Sequence, residues 1–137
     1  MREIYNNLKV VKAKNSAQVT GTGESAVIDT AGFGSILFIL STATITTADG
    51  DNTFVFSIEE GDQADGSDMT TITDGDRILG ELPIINHASN FDDVTLKFGA
   101  IIGTKRYMRV KYTETGTADG VFGITAILGN PNHAPVA

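Results

Sequence analysis

The stretch Thr53-Phe-Val-Phe-Ser-Ile-Glu59 decides the fold, because large apolar side chains recur in it at every second position. Phe54, Phe56 and Ile58 fall on one face of a β-strand, and the opposite face carries Thr53, Val55, Ser57 and Glu59, most of which are polar. The segment Val94-Thr-Leu-Lys-Phe98 repeats this alternation. A strand that is apolar on one face covers a core, so both segments predict a β-sheet packed against a second layer.

A different pattern marks the run Ile36-Leu-Phe-Ile-Leu40, which is apolar at every position. Its short length and the flanking Gly32 and Gly34 disfavour a helix. A strand that is apolar on both faces is predicted to lie in the centre of a sheet, covered by a second layer or by a subunit contact. The pair Ile84-Ile85 is another candidate for a subunit contact, and core burial explains both segments equally well.

Glycine and aspartate divide the rest of the chain into short apolar segments about ten residues apart, the rhythm of an all-β sandwich or barrel. Asp-Gly pairs, which supply the positive φ angles of tight turns, lie between several of these segments. We predict about eight strands, at residues 8–14, 26–29, 35–45, 53–59, 69–73, 94–100, 107–113 and 121–128. The predicted fold class is all-β, a single-domain antiparallel β-sandwich of jelly-roll-like form over residues 1–137.

Some segments carry less clear patterns. The loop with Asp119 and Gly120 is expected to join the last two strands as a hairpin. For residues 78–89, three alternatives remain open: a short strand, a single helical turn or a loop. Residues 1–7 and 129–137 are predicted to be extended terminal arms, too polar or too proline-interrupted to join a central strand. Such arms are either frayed ends or segments that order on a neighbouring subunit.

Composition excludes several classes of protein. The chain has 10 basic and 17 acidic side chains among 137 residues, a formal charge of −7, which is the wrong sign for gripping a nucleic-acid backbone. Its longest apolar run is far shorter than the roughly 20 residues that span a bilayer, and the N-terminus lacks a signal peptide's apolar stretch. Cysteine is absent, which excludes disulfides and thiol nucleophiles. We expect a soluble protein with no nucleic-acid and no membrane partner.

Carboxylates are concentrated between Glu59 and Asp76, and oxygen-rich loops of this kind can hold calcium. The spacing does not fit the calcium loop of the helix–loop–helix motif, whose ligand positions set the geometry. We therefore predict solvated acidic turns with no metal and no cofactor. If a metal did bind, Asp62, Asp65 and Asp68 would be its candidate ligands.

The sequence does not favour an enzyme. Glycosidase chemistry needs two carboxylates across a cleft with one of them desolvated, and here the acids lie on glycine-rich turns with no tryptophan to stack on sugar. His87 lies near Ser89, but no Gly-x-Ser-x-Gly elbow presents a nucleophile. We predict that the protein has no catalytic residues.

One basic cluster stands out, the segment Lys105-Arg-Tyr-Met-Arg-Val-Lys111. In a strand, Lys105, Arg109 and Lys111 share one face, and Arg106 lies on the other. Two roles remain open for these cations. Arg106 can form an ion pair within the chain, or Arg109 and Lys111 can contact an acidic neighbour.

Several segments together resemble small proteins encoded in the head-gene module of tailed bacteriophages. The resembling segments are Tyr5-Asn-Asn-Leu-Lys-Val-Val-Lys-Ala13, Gly103-Thr-Lys-Arg-Tyr-Met-Arg-Val-Lys111 and Val121-Phe-Gly-Ile-Thr-Ala-Ile-Leu-Gly-Asn-Pro-Asn-His-Ala-Pro-Val136. The acidic stretch Glu59-Glu-Gly-Asp62, followed by Gly66-Ser67, is similar to an acidic hairpin of that group. Its members are thought to act as capsid decoration, or cement, proteins.

The resemblance implies a structural virion protein that binds the outer surface of a phage head and stabilises the shell. Its implied partners are the major capsid protein and further copies of itself, with a trimer favoured. Its implied location is the outer capsid surface of the virion, after synthesis in the host cytoplasm. The interface candidates are Leu8, Val10, Lys105, Arg106, Arg109, Pro131, His133 and Pro135. In that group the tail often carries arginine where Asn132 stands here, a departure that removes a charge.

Two other functions remain open. The protein could be a different virion component of the same gene neighbourhood, such as a head-fibre base or a tail-associated β protein. It could also be a calcium- or glycan-binding β module that uses the loops between Glu59 and Asp76. Copy number per particle separates the first alternative from a cement protein, and a calcium effect on the melting temperature tests the second.

Overall fold

Two antiparallel β-sheets pack face to face in the computed structural model, which describes residues 3–132. This architecture confirms the predicted all-β sandwich, and 57% of the residues lie in strands. Six strands are long and five have only two residues within the described range. Those short strands bring the number above the predicted eight. Within the described residues there is no helix that is long and apolar enough to cross a membrane.

In chain order the strands are β1 (Lys9–Val19), β2 (Gly23–Glu24), β3 (Ile28–Asp29), β4 (Phe33–Thr47), β5 (Thr53–Gly61), β6 (Thr70–Thr71), β7 (Ile78–Leu79), β8 (Ile84–Ile85), β9 (Thr95–Ile101), β10 (Tyr107–Thr115) and β11 (Asp119–Pro131). A single 3-10 turn at Ser89–Phe91 precedes β9. The segment 78–89, which the sequence left open, therefore holds two short strands and the start of this turn.

The strands divide into two sheets that we call sheet I and sheet II. Sheet I has the order β1-β11-β4-β9-β7. Sheet II has the order β2-β10-β5-β6, with β3 also beside β10 and β8 also beside β5. The first and last long strands of the chain are thus neighbours in sheet I, and the longest strand, β4, lies at its centre.

The core lies between the two sheets and is rich in phenylalanine. Phe54, Phe56 and Ile58 of sheet II are buried there, as the alternation in β5 predicts. The rings of Phe54 and Phe56 each pack edge-on against Phe122 of sheet I, with centroid distances of 5.4 Å in both pairs. Phe38 stacks on Phe98 at 5.6 Å within sheet I. The contacts of Phe122 with Phe54 and Phe56 join the two sheets across the core.

The apolar run in β4 is central, as predicted, with β11 on one side and β9 on the other. Ile36, Phe38 and Leu40 point into the core and are buried. Leu37 and Ile39 lie on the opposite face and are only partly covered. In the part of the chain that the structure describes, the second layer therefore covers just one of the two apolar faces of this strand.

The predicted hairpin between the last two long strands is wrong. β10 belongs to sheet II, and β11 belongs to sheet I. Both sides of β10 are already occupied, by β5 on one side and by β2 and β3 on the other, so no free edge remains for β11. The chain crosses between sheets at Gly116, whose φ is 72°, and the Thr117 N–H donates to Asn52 Oδ1 at 2.7 Å. Asp119 and Gly120 already lie in β11.

The predicted C-terminal arm begins too early. Gly129 and Pro131 continue β11, opposite Ser35 and Phe33 of β4, so this central strand includes the first residues of the predicted arm. Proline has no N–H to donate, and Pro131 is tolerated because it is the last residue of the strand. Residues 133–137 lie outside the described residues. At the other end, residues 4–7 form a turn closed by the Asn7 N–H and the Ile4 carbonyl at 3.1 Å.

Candidate functional site

The outer face of sheet I carries a row of apolar side chains that crosses the sheet. The strand register places Val10 of β1 beside Ile127 of β11, and Ile127 beside Leu37 of β4. Gly99 of β9 follows Leu37, and Leu79 of β7 ends the row. Neighbouring strands are about 4.8 Å apart, so the row is about 19 Å long. We call these five residues the apolar row.

The apolar row is open to solvent. Val10 is 67% exposed and Leu79 is 42% exposed, while Leu37 and Ile127 between them are partly exposed. Ile101, next to Gly99 on the same face of β9, adds another apolar side chain that is 44% exposed. Contiguous apolar surface of this kind typically marks a site where another molecule binds.

A shallow groove of about 370 Å³ runs along the edge of the apolar row. Its walls include Leu8, Leu37, Leu79 and Ile127. Gly129 forms part of its floor, where a Cβ atom would lie 3.2 Å from Leu8 Cδ2. A side chain at this position would crowd the groove, so glycine keeps it open.

Two lysines lie beside the apolar row, at the ends of the next row of outward-facing residues. The register of that row is Lys12 of β1, Thr125, Ile39 and then Lys97 of β9. Lys12 and Lys97 are exposed, and three strand spacings separate them by about 14 Å. Neither lysine forms an ion pair with a carboxylate of the described residues.

The charge of sheet I is opposite to that of the chain. Its five strands contain four lysines and a single carboxylate, Asp119, which gives a net charge of +3 on a chain whose total is −7. Lys14 differs from the other lysines because it turns toward the interior. Its Nζ lies 3.2 Å from the carbonyl oxygen of Phe122 and 5.1 Å from the centroid of the Phe122 ring. Burial lowers the pKa of Lys14.

The three cations predicted as interface candidates lie at sheet II, and each is paired within the chain. Arg109 Nε donates to Glu59 Oε1 at 2.8 Å, in a pair whose side chains are only 17% and 8% exposed. The Arg106 guanidinium donates to both carboxylate oxygens of Asp29, at 2.9 and 2.8 Å. Lys105 Nζ lies 2.9 Å from Asp62 Oδ2 at the surface. Of the two roles left open, the structure thus gives Arg106 the pair within the chain.

These pairs perturb their partners in the expected directions. The hydrogen bond to Asp29 raises the pKa of Arg106, and the same bond lowers the pKa of Asp29. The hydrogen bond to Asp62 likewise raises the pKa of Lys105. The folded chain thus favours the charged forms of Arg106, Asp29 and Lys105.

Sequence patterns did not point to Arg77, which bridges the two sheets. Its Nη1 and Nη2 each lie 2.7 Å from a carboxylate oxygen of Glu60, in β5 of sheet II. Its Nη2 also donates to the carbonyl oxygen of Ile101, in β9 of sheet I, at 3.1 Å. One guanidinium thus ties the sheets together at an open edge of the sandwich.

The acidic loop after β5 has a structural explanation. The Asp68 carboxylate accepts hydrogen bonds from the backbone N–H groups of Asp62 and Gln63, at 2.9 and 3.1 Å. The Asp65 carboxylate accepts one from the Ser67 N–H at 2.9 Å. Gly66, with φ 76°, lets the loop pass close over the Arg109 guanidinium. The three candidate metal ligands are thus engaged in turn hydrogen bonds or in the ion pair with Lys105. No cluster of three or more metal-binding side chains occurs within residues 3–132.

The predicted interface residues do not form one surface. Leu8 and Val10 lie at the outer face of sheet I, beside the groove and in the apolar row. Lys105, Arg106 and Arg109 lie at sheet II or in the loop that leads into it. Pro131 is the last residue of β11, whereas His133 and Pro135 lie outside the described residues. Of the pair Ile84-Ile85, Ile85 is buried in the core and Ile84 is exposed.

Sequence reasoning missed Leu79, Ile101, Ile127 and the two lysines beside the row. Two signals pointed toward them. The run in β4 was apolar on both faces, and one of those faces needed a cover. The strands of sheet I also share a scarcity of acidic residues, which the sequence shows only when the strands of one sheet are compared together.

The class that the structure defines is the two-sheet antiparallel β-sandwich. A similar solved structure is that of the SPBc2 prophage-derived protein YomS, with a TM-score of 0.53 and 7% identity, covering 93% of this chain and 98% of that chain. The structure of infectious bursal disease virus, Gx strain, is similar over 92% of this chain and 32% of that chain, with a TM-score of 0.54 and 11% identity. The crystal structure of the VP2 subviral particle of that virus is similar over 91% of this chain and 33% of that chain, with a TM-score of 0.51 and 11% identity.

At these identities the likeness is one of fold. The chain spans about a third of the length of the two infectious bursal disease virus chains it matches. No protein-family model matches the sequence, and no curated protein matches it significantly.

Proposed function

We propose that this protein is a structural component of a virion, specifically a decoration protein that binds the outer surface of a phage head. The observation that carries the proposal is the apolar row on the outer face of sheet I. Five strands present it on the outer face of one sheet, and the described chain offers nothing to cover it. A surface of this kind is suited to docking on another protein rather than to catalysis.

The fold and the sequence support the same class of protein. A prophage-derived protein and a viral subviral particle share the two-sheet sandwich, although their identity to this chain is low. The segments at residues 5–13, 103–111 and 121–136 resemble small proteins of phage head-gene modules. Two of these segments include the first part of β1 and most of β11, the strands that carry Val10 and Ile127.

The energetics favour binding in several copies. Covering a valine or leucine side chain completely is worth about 1.5 to 3 kcal/mol, so the four side chains of the apolar row contribute at most about 6 to 12 kcal/mol. Association costs about 4 to 15 kcal/mol in lost rigid-body freedom. Because these side chains are already partly covered in the free protein, one row contributes less than this upper figure and does not by itself secure docking. A homo-oligomer, of which we favour a trimer, multiplies the contacts and makes attachment to the major capsid protein stable.

The test is binding of purified protein to phage particles produced without its gene. Leu79→Glu places a charge in the apolar row, and Val55→Glu is its matched control, since Val55 is 39% exposed on the outer face of sheet II. We expect wild-type and Val55→Glu protein to bind in equal amounts, and Leu79→Glu to lose most of its occupancy, measured by gel densitometry of sedimented particles.

Copy number decides between the proposal and another virion role. A cement protein covers the shell in hundreds of copies, whereas a fibre base or tail component is present in roughly a dozen or fewer. Saturation at a dozen copies, or equal binding of the Leu79→Glu and Val55→Glu variants, would contradict the decoration role proposed for sheet I.

A further inference from the structure

The geometry points to an acidic protein surface as the partner of sheet I, with Lys12 and Lys97 contacting its carboxylates beside the apolar row. The inference rests on the proposed function and names the chemistry of the partner that the same face recognises. Its basis is the contrast between these two lysines, which lie unpaired beside the apolar row, and the four cations of the described chain that form ion pairs. Lys9, Lys14 and Lys111 also form no ion pair with the described residues, but none of them faces outward beside the apolar row.

That contrast is one of pairing. Arg77, Lys105, Arg106 and Arg109 each hold a carboxylate of this chain at 2.7 to 2.9 Å. Lys97 lines a groove together with Glu81, yet no ion pair forms between them. In a protein with 17 acidic and 10 basic side chains, internal partners are abundant. Cations that stay unpaired on one face are therefore available to a partner of opposite charge.

The arrangement around the lysines favours a protein over a nucleic acid. Lys12 and Lys97 flank Thr125 and Ile39, and the apolar row lies directly alongside. An apolar centre with charged groups near its rim is the usual anatomy of a protein–protein interface. Backbone binding to nucleic acid relies on many phosphate contacts, about 6 to 10 in tight complexes, and gains nothing from a central row of leucine and isoleucine.

The same charges disfavour a second copy docked face to face. Two apposed copies of sheet I would bring Lys12 and Lys97 of one copy toward the same two lysines of the other. Like charges facing each other in an interface are costly. The acidic surface of the capsid is the occupant to which the inference commits, and the acidic side of a sister copy is the competing outcome.

Charge reversal in the particle-binding assay tests the inference. Lys97→Glu and the double variant Lys12→Glu/Lys97→Glu are compared with Lys111→Glu, a cation on the outer face of sheet II. We expect the double variant to lose about tenfold in affinity, mainly through slower association, while Lys111→Glu binds as the wild type does. Wild-type binding should also weaken as salt is raised, because salt screens exposed charges.

The outcomes separate this inference from the proposed function. If the double variant binds normally while Leu79→Glu does not, the acidic partner is refuted and the docking face stands. If wild-type protein does not bind particles at all, the proposed function and the inference both fail. If charge reversal changes only the self-association of the free protein, measured by sedimentation, the occupant is a sister copy and the capsid assignment is overturned. Melting temperatures of all variants verify that they are folded.

Discussion

The ion pair between Arg109 and Glu59 shows how single residues of sheet II serve its stability. Both side chains lie on the outer face of that sheet, directly opposite each other in β10 and β5. They are nevertheless largely buried, because the acidic loop passes over Arg109 at Gly66. A buried carboxylate without its partner is an uncompensated charge in a poorly solvated place. This pair is therefore an internal support of the sheet.

Removal of one partner tests this role. Arg109→Met keeps an unbranched side chain at this position but leaves Glu59 without its cation, so we expect the free energy of unfolding to fall by about 3 kcal/mol. The matched control is Lys105→Met. The pair of Lys105 with Asp62 is roughly half exposed, so its loss should destabilise the protein much less. Urea unfolding measures both. Equal and small losses would contradict the buried support.

Side-chain direction within a strand could be predicted from sequence, but the neighbours across the sheet could not. The alternation in β5 predicted the burial of Phe54 and Phe56, and the same alternation at residues 94–98 placed Lys97 on the outer face of β9. That Lys97 shares a row with Lys12 depends on two intervening strands, a long-range order that no local pattern records. The pairing of Arg109 with Glu59 likewise depends on which strands are neighbours and in what register, which the local sequence does not record.

At the scale of elements, the sequence predicted a central strand correctly and the connection between two strands wrongly. The apolar run at 36–40 predicted a central strand, because only a strand with neighbours on both sides hides such a sequence. The hairpin between β10 and β11 was wrong, because turn chemistry at Asp119-Gly120 says nothing about which edges are free. Leu79 was missed because β7 has two residues and lies in a segment without a period.

The acidic loop after β5 is an element whose stability depends on pH. Hydrogen bonds from backbone N–H groups hold the pKa of Asp68 and of Asp65 below the ordinary value. A carboxyl group whose pKa is lowered by folding stabilises the protein above its unfolded pKa, near 3.9 for aspartate, and this contribution is lost as the pH falls through the lower folded value. We expect the melting temperature to decline as the pH drops below about 4.

An Asp68→Asn variant isolates the contribution of this loop. Asparagine cannot ionise, so the variant should be less stable than the wild type at neutral pH, and the difference should shrink toward pH 2 as Asp68 of the wild type becomes protonated. Thermal unfolding across the pH range gives both curves. A constant difference at every pH would show that ionised Asp68 does not stabilise the loop.

The whole molecule has two unlike sides. Sheet II is covered on part of its outer face by an acidic loop, and its cations are mostly paired within the chain. Sheet I presents the apolar row with Lys12 and Lys97 beside it. Phenylalanine packing in the core and the Arg77 bridge hold the two sides in a fixed relation. In the proposed decoration protein, sheet I faces the shell and the acidic side faces solvent or a sister copy.

The most direct test of this orientation is the acetylation rate of individual lysines, measured by mass spectrometry for free and particle-bound protein. Lys12 and Lys97 report on sheet I, and Lys111 reports on sheet II in the same sample. We predict that particle binding slows the acetylation of Lys12 and Lys97 and leaves the acetylation rate of Lys111 unchanged. Protection of Lys111 with full reactivity at Lys12 and Lys97 would contradict it.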